Sequence, residues 1–311
     1  VHGLKDPDKN KLKRNSPTAN RLGVMMVLII IVCSELLMVG GDASTAFLQG
    51  GFLMSTVWKR YSQDPAGFIL YQAGLLVAVL ALHVDDVLIG VKVKTLLIPM
   101  KDRFAWVDGS FENDNDAIYY GRRMRHEPAV RVRITQSAFC GAIKVGKLTQ
   151  ERRANLAAPL VGEELSELSS DIGSLSWVGG NTRPPIMACA SMRQGGEKTV
   201  EVLVKARSLR QGGEKTVEVL VKARSPLRKL KDEPDGDLKM VPIDLNEARV
   251  LLHAEGSGSN AAGHRTQSGH VVFAAEPECV TAACGNANPL DWSSHRPRRA
   301  CHCTLSFEAI S

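Results

Sequence analysis

The chain has 311 residues, 44% hydrophobic and 23% charged, a globular rather than disordered composition with room for two domains of ordinary size. A formal net charge of +6 is compatible with a polyanionic partner but does not require one. Seven cysteines, odd in number and unevenly spaced, exclude a disulfide framework and suggest a reducing compartment.

Taken in order, residues 1–22 read as a polar, lysine-bearing lead-in with turn chemistry at Asp6-Pro7 and Ser16-Pro17. No signal-peptide core follows at once, so an intracellular chain, in cytoplasm or nucleus, is expected. Val24–Cys33 (VMMVLIIIVC) is the most apolar run, yet it has ten residues where a membrane span needs about 20. It predicts a buried helix or strand over residues 24–40, ending at Gly40-Gly41, and no membrane association. A short apolar segment from Ala43 to Leu48 follows. Residues 73–90 (AGLLVAVLALHVDDVLIG) predict two buried strands joined by a tight turn at His83-Val84-Asp85-Asp86, with Val87, Leu88 and Ile89 in the return strand.

The rest is less regular. Residues 111–150 are polar and mixed, and residues 158–178 alternate between helix-like and loop-like patterns. Ser191–Arg207 (SMRQGGEKTVEVLVKAR) is followed at once by Ser208–Arg224 (SLRQGGEKTVEVLVKAR), identical at sixteen of 17 positions. One near-perfect pair without a third copy points to a recent duplication of coding DNA, not to a solenoid. Val200, Leu203 and Val204 favour a helix; Val200, Val202 and Val204 equally allow a strand. One of the two copies is expected to have no proper place in the fold. Residues 226–240 read as a charged linker bearing Pro and Gly, and the segment from Val241 is strand-like over Val250–His253 and His270–Ala275.

The chemistry concentrates in two motifs. Asp42 stands in GGDASTAFLQG (Gly40–Gly50), and Asp85-Asp86 in LALHVDDVLIG (Leu80–Gly90). Adjacent aspartates at a hairpin tip between apolar strands repel each other unless a cation neutralises them. A third carboxylate on a neighbouring strand completes a site for two Mg²⁺ ions, about 3.5–4 Å apart, of the kind that clamps a phosphoryl displacement.

The pattern Asp-x-x-x-Ala-Phe-Leu-x-Gly followed by Val-Asp-Asp resembles the reverse transcriptase of copia-type retrotransposon Pol polyproteins. The resemblance implies that Asp42, Asp85 and Asp86 are catalytic carboxylates and metal ligands. It implies Phe47 as the substrate-binding residue that excludes the ribose 2′-hydroxyl. His83 stands where the family usually has Tyr. Further agreement, in the family's order, comes from KDPDKNKLKRNSPTANR (Lys5–Arg21), DPAGFILYQAGLLVAVLALHVDD (Asp64–Asp86), MKDRF (Met100–Phe104), YYGRRM (Tyr119–Met124), ITQSAF (Ile134–Phe139) and GSLSWVGGNTRPPI (Gly173–Ile186). In the last, Pro185 replaces the family's Asp. LLHAEGSGSNAAGHRTQSGHVVF (Leu251–Phe273) and LDWSSHRPRRACHCTLSFEAIS (Leu290–Ser311) resemble the opening of the element's ribonuclease H. There Glu255 takes the place of the first Asp, and Glu308 matches a glutamate of the first helix.

The resemblance implies an α+β fold. A reverse-transcriptase palm remnant, a ferredoxin-like antiparallel sheet with helices, would occupy residues 1–110. A thumb and connection remnant would occupy 111–240, and a truncated ribonuclease H-like α/β domain 241–311. It further implies two Mg²⁺ ions, an RNA template, a DNA primer and deoxynucleoside triphosphates. Two departures bear on activity. Only 42 residues separate Asp42 from Asp85, substantially fewer than in the family, which places a deletion between about Val57 and Tyr61. The ribonuclease H pattern stops at Ser311, before its later carboxylates. Both lead us to expect impaired catalysis, leaving a non-catalytic nucleic-acid-binding remnant or an inert product of a decayed element as alternatives. Cys279, Cys284, His295, Cys301, His302 and Cys303 suggest zinc, but Cys-x₄-Cys and Cys-x-Cys spacings do not match the usual pairs, so chance substitution explains them better.

Overall fold

A computed structural model describes residues 18–44, 57–127, 131–187, 216–261, 265–282 and 284–295. Phe47, Glu308, the upstream repeat copy and most of the lead-in lie outside these residues. The chain divides into two units, Val1–Tyr120 with Met124–Val130, and Gly121–Arg123 with Arg131–Ser311.

In the first unit the apolar run forms α1 (Arg21–Cys33), capped by the Asn20 side chain, which accepts the Gly23 amide at 2.7 Å. The helix is apolar around its whole circumference and is accordingly enclosed: Val24, Met25, Val27, Leu28, Ile29, Ile31 and Val32 are all buried. Asp64 secures its entry. That buried carboxylate accepts the Asn20 and Ala66 amides at 2.9 Å each, and any side chain at position 23 would collide with it. The single element expected to end at Gly40-Gly41 is in fact two. The helix stops at Cys33, a turn through Ser34 and Glu35 reverses the chain, and both glycines lie inside strand β1 (Leu37–Asp42).

The strands β2 (Lys59–Arg60), β3 (Gly67–Gln72), β4 (Leu75–His83) and β5 (Asp86–Val91) complete an antiparallel sheet in the order β1-β5-β4-β3-β2. The two strands and tight turn expected over residues 73–90 are β4 and β5. α1 packs on β3, β4 and β5, and Gly90 leaves the space that Ile31 fills. After α2 (Ile98–Arg103), residues 104–115 run along the free edge of β1. Val107, Phe111 and Asn115 donate their amides to the carbonyls of Asp42, Gly40 and Met38, each at 2.8 Å. Two consecutive glycines permit this approach: a Cβ at position 41 would enter the Phe111 ring, and one at position 40 would lie 2.9 Å from Ala117 Cβ. β6 (Asp116–Tyr119) and β7 (Arg122–Glu127) follow as neighbours.

The second unit begins with β8 (Arg131–Thr135), α3 (Ser137–Ala142) and α4 (Gln150–Ala154). Residues 158–178, expected to alternate, belong mostly to one helix, α5 (Gly162–Asn181). Leu168, Asp171, Ile172, Leu175 and Val178 form its buried stripe, and the many serines that obscured the pattern fall between these positions. α6 (Val217–Asp232) contains the downstream repeat copy from Val217 to Arg224, which decides helix over strand. It also overturns the linker expected at residues 226–240: the helix continues through Pro226 to Asp232, and β9 (Asp237–Met240) then pairs antiparallel with β8. Two buried clusters result. Val217, Leu220 and Ala223 pack with Leu160, Leu168 and Ile172; Leu227 and Leu230 pack with Cys140, Ile143, Leu175 and Val178. Finally β10 (Arg249–Ala261), β11 (Arg265–Ala275), the short α7 (Glu278–Thr281) and β12 (Ala287–His295) form a three-stranded antiparallel sheet in chain order. Trp292 ties it to α5 by donating its indole N–H to the Gly179 carbonyl at 2.8 Å.

Candidate functional site

The β4–β5 hairpin turns on Val84 and Asp85. Val84 has φ 60°, a region that a β-branched residue occupies only under constraint. The ladder then aligns three polar residues at one end of the sheet: Asp86 is in register with His83 on β4 and with Asp42 on β1. Directly opposed residues of antiparallel strands project from the same face, so Asp42 and Asp86 share a face. The Ala43 amide donates to the Asp85 carbonyl at 2.9 Å and carries the strand contact one residue past the ladder. The register thus brings Asp42 beside the Asp85-Asp86 pair, from which 42 residues separate it in sequence.

Residues 104–115 hold Asp42 from the other side. Its amide donates to Ser110 Oγ at 3.1 Å, and its carbonyl accepts from the Val107 amide at 2.8 Å and from Ser110 Oγ at 3.3 Å. Although Asp42 is exposed, partial desolvation raises its carboxyl from the ordinary value, and the nearby negative charge of Asp85 adds to the effect. Asp86 is engaged elsewhere: its Oδ2 accepts the Tyr120 amide at 3.0 Å. The Tyr120 ring lies 3.6 Å from the His83 ring, and Tyr119 meets the same imidazole edge-on at 6.3 Å. Tyr120 itself takes φ 49° to make this contact.

As placed, Asp42, Asp85 and Asp86 are not grouped as the set of three carboxylates that would hold the two Mg²⁺ ions the resemblance implies. Asp42 and Asp85 sense each other electrostatically, but a carboxylate oxygen of Asp86 points at a backbone amide. Among the described residues, no three His, Cys, Asp or Glu side chains are grouped so as to hold a metal ion. That statement covers Cys279, Cys284 and His295 of the zinc candidates; Cys301, His302 and Cys303 lie outside the described residues.

Ser110 and Phe111 were not singled out from the sequence, and Tyr119 and Tyr120 entered only as the opening of the YYGRRM motif. The available signal was Gly40-Gly41, since paired glycines inside a strand mark a close approach of other backbone or side chains.

In the second unit Glu255 lies on β10 opposite Gly269. It borders a cleft of about 530 Å³ together with Pro184, Pro185, His253, His270 and Trp292. Among the described residues lining it, Glu255 is the one carboxylate. His270 instead joins β12, with Nδ1 3.1 Å from Ser293 Oγ and Nε2 3.7 Å from Asp291 Oδ2. No described helix is long and apolar enough to cross a membrane.

No protein-family model matches the chain, and the sequence of no curated protein does. Among solved structures, a foamy viral protease-reverse transcriptase in complex with an RNA/DNA hybrid overlays with a TM-score of 0.38 and 10% sequence identity. The overlay covers 94% of this chain and 36% of that one, so the chain spans about a third of that protein's length. An overlay this loose does not establish a common fold.

Proposed function

We propose that the first unit derives from the palm of a copia-type reverse transcriptase, an RNA-directed DNA polymerase, and that it no longer polymerises. The observation that carries this reading is the register of Asp42 with Asp86 across β1 and β5, with Asp85 at the adjoining turn. Two motifs separated by 42 residues meet at one end of a sheet, where a polymerase of that family needs its carboxylates. The ancestral reaction transfers a nucleotide from a deoxynucleoside triphosphate to a DNA primer on an RNA template, with two Mg²⁺ ions clamping the displacement. This chain lacks the arrangement for it. Its three carboxylates are not grouped as a metal site, and the segment after Phe47 is too short to supply the family's nucleotide-gripping surface. The second unit, in this reading, holds the opening of a ribonuclease H-like domain in which Glu255 borders a cleft with no second carboxylate among the described residues lining it.

Two measurements separate ancestry from activity. Oxidation of the Asp42→Cys, Asp86→Cys double variant should cross-link the two positions, and failure to do so removes the palm reading. The purified chain, given Mg²⁺, nucleotides and a labelled primer on RNA, should extend no more than a protein-free control. Extension that Asp85→Ala abolishes would keep the palm and overturn the loss of catalysis.

A further inference from the structure

We propose that the groove formed by α5 and residues 156–160 is a docking site for the nine-residue segment Thr-Val-Glu-Val-Leu-Val-Lys-Ala-Arg, and that the upstream copy (Thr199–Arg207) is a second occupant able to replace the downstream one (Thr216–Arg224). Every group by which the groove holds its present occupant exists twice in the chain. Val217, Leu220 and Ala223 fill the cluster with Leu160, Leu168 and Ile172. Thr216 bridges to Pro159, and the Val217 and Glu218 amides donate to the carbonyls of Ala158 and Leu156 at 3.0 Å each. Arg224, 1% exposed, forms ion pairs with Glu167 and Asp171. The upstream copy offers Thr199, Val200, Glu201, Leu203, Ala206 and Arg207 in the same spacing.

The site is modular because α6 is nearly two helices. Its repeat half packs in one cluster, whereas Leu227 and Leu230 pack in the other. Pro226 stands between the halves, two residues beyond the end of the repeat. It has no amide to bond the Lys222 carbonyl and crowds the preceding turn, so the helix is already weakened near the junction. Exchange of copies would leave the contacts of Leu227 and Leu230 in place and loop out 17 residues, Ser208–Arg224. Loop closure becomes costlier only slowly with length. The downstream copy prevails because its connection to Pro226 needs no such loop.

The test uses the full chain, its Leu203→Ala and Leu220→Ala variants, the double variant, and a fluorescein-labelled peptide of Lys198–Arg207. Leu203→Ala alone should leave the melting midpoint unmoved, and Leu220→Ala should lower it. The double variant should melt lower still, because the substitute occupant is also damaged. Peptide affinity, read by anisotropy, should rise from wild type through Leu220→Ala to the double variant, by at least tenfold overall. A peptide with Ala at the Leu203 and Arg207 positions should not bind. Rescue within one chain leaves Leu220→Ala monomeric on gel filtration, and rescue by a neighbouring chain makes it a dimer; either supports the docking site and identifies the source. Equal midpoints for Leu220→Ala and the double variant, or equal peptide affinity across the series, would overturn the proposal. If the double variant is unfolded, excess peptide must restore its helical signal, and failure to do so counts against the site equally.

Discussion

Asp42 and Asp85 are two negative charges brought together by a strand register and a hairpin turn, and the fold carries the consequence. A carboxyl raised above its usual range holds its proton more tightly in the folded chain than in the unfolded one. Folding stability therefore falls as pH rises through the carboxylate range, and the penalty is fully present at neutral pH. Asp85→Asn removes the smaller of the two causes and leaves the desolvation of Asp42. The variant should be more stable than the wild type in urea denaturation at pH 7, and the difference should vanish below the carboxylate range. A difference that persists in acid would assign the effect to packing. Val84 is the second residue under strain. A non-glycine residue at positive φ costs on the order of 1–3 kcal/mol, and a glycine loses roughly 0.5–1 kcal/mol of that advantage through unfolded-state entropy. Val84→Gly should stabilise the chain by about 1 kcal/mol, measured by the same denaturation. A destabilised variant would mean that the Val84 side chain contributes more than its backbone conformation costs.

At the scale of elements, Arg224 shows how α6 is anchored. Its guanidinium pairs with Asp171, which is 7% exposed, at 3.4 Å, and with the half-exposed Glu167. Burial raises the Asp171 carboxyl above the usual range even though Arg224 pulls it down, so Asp171 depends on that partner. Arg224→Ala made together with Arg207→Ala, so that the upstream copy cannot substitute, should cost about 3–5 kcal/mol, because it strands a buried carboxylate; Arg207→Ala alone, the same change in the upstream copy, should cost nothing measurable. A comparable loss from Arg207→Ala alone would show that both copies are anchored. These elements differ in how far the sequence revealed them. β4 and β5 were legible because a single polar turn interrupts an otherwise continuous apolar run, and the carboxylate pairing followed from that turn. α5 was not, since its buried stripe is thin and includes the charged Asp171 among intervening serines. α6 was hidden twice: the repeat half matches helical and strand periods equally, and Pro226 with a run of charges mimics a linker. What settles such segments is tertiary packing, here the two apolar clusters that α6 fills, and no local pattern encodes it. The contact of Tyr120 with Asp86 was equally hidden, because a backbone amide donates it.

For the molecule as a whole, the proposed palm origin raises the question of whether the aspartates of the first unit would meet nucleic acid as catalysts or only as charges. The chain carries a net charge of +6, and a polyanion bound through lysine and arginine releases condensed counterions, so affinity falls steeply as salt rises. Asp42 and Asp85 oppose that attraction wherever a phosphate backbone passes near them. In a working polymerase their removal would abolish primer extension through loss of the cations. In a palm that has lost its metal arrangement, the same removal would act on a bound polyanion only by taking away two negative charges. The Asp42→Asn, Asp85→Asn double variant should then bind a labelled RNA/DNA duplex more tightly than the wild type, by several-fold at about 50 mM salt and less at about 200 mM. Fluorescence anisotropy across that salt range reads the effect directly, with primer extension run on the same samples. Tighter binding with no extension from either protein identifies the carboxylates as electrostatic residue of a former site. Unchanged or weaker binding would place the nucleic acid away from β1 and β5, or remove it as a partner of this unit.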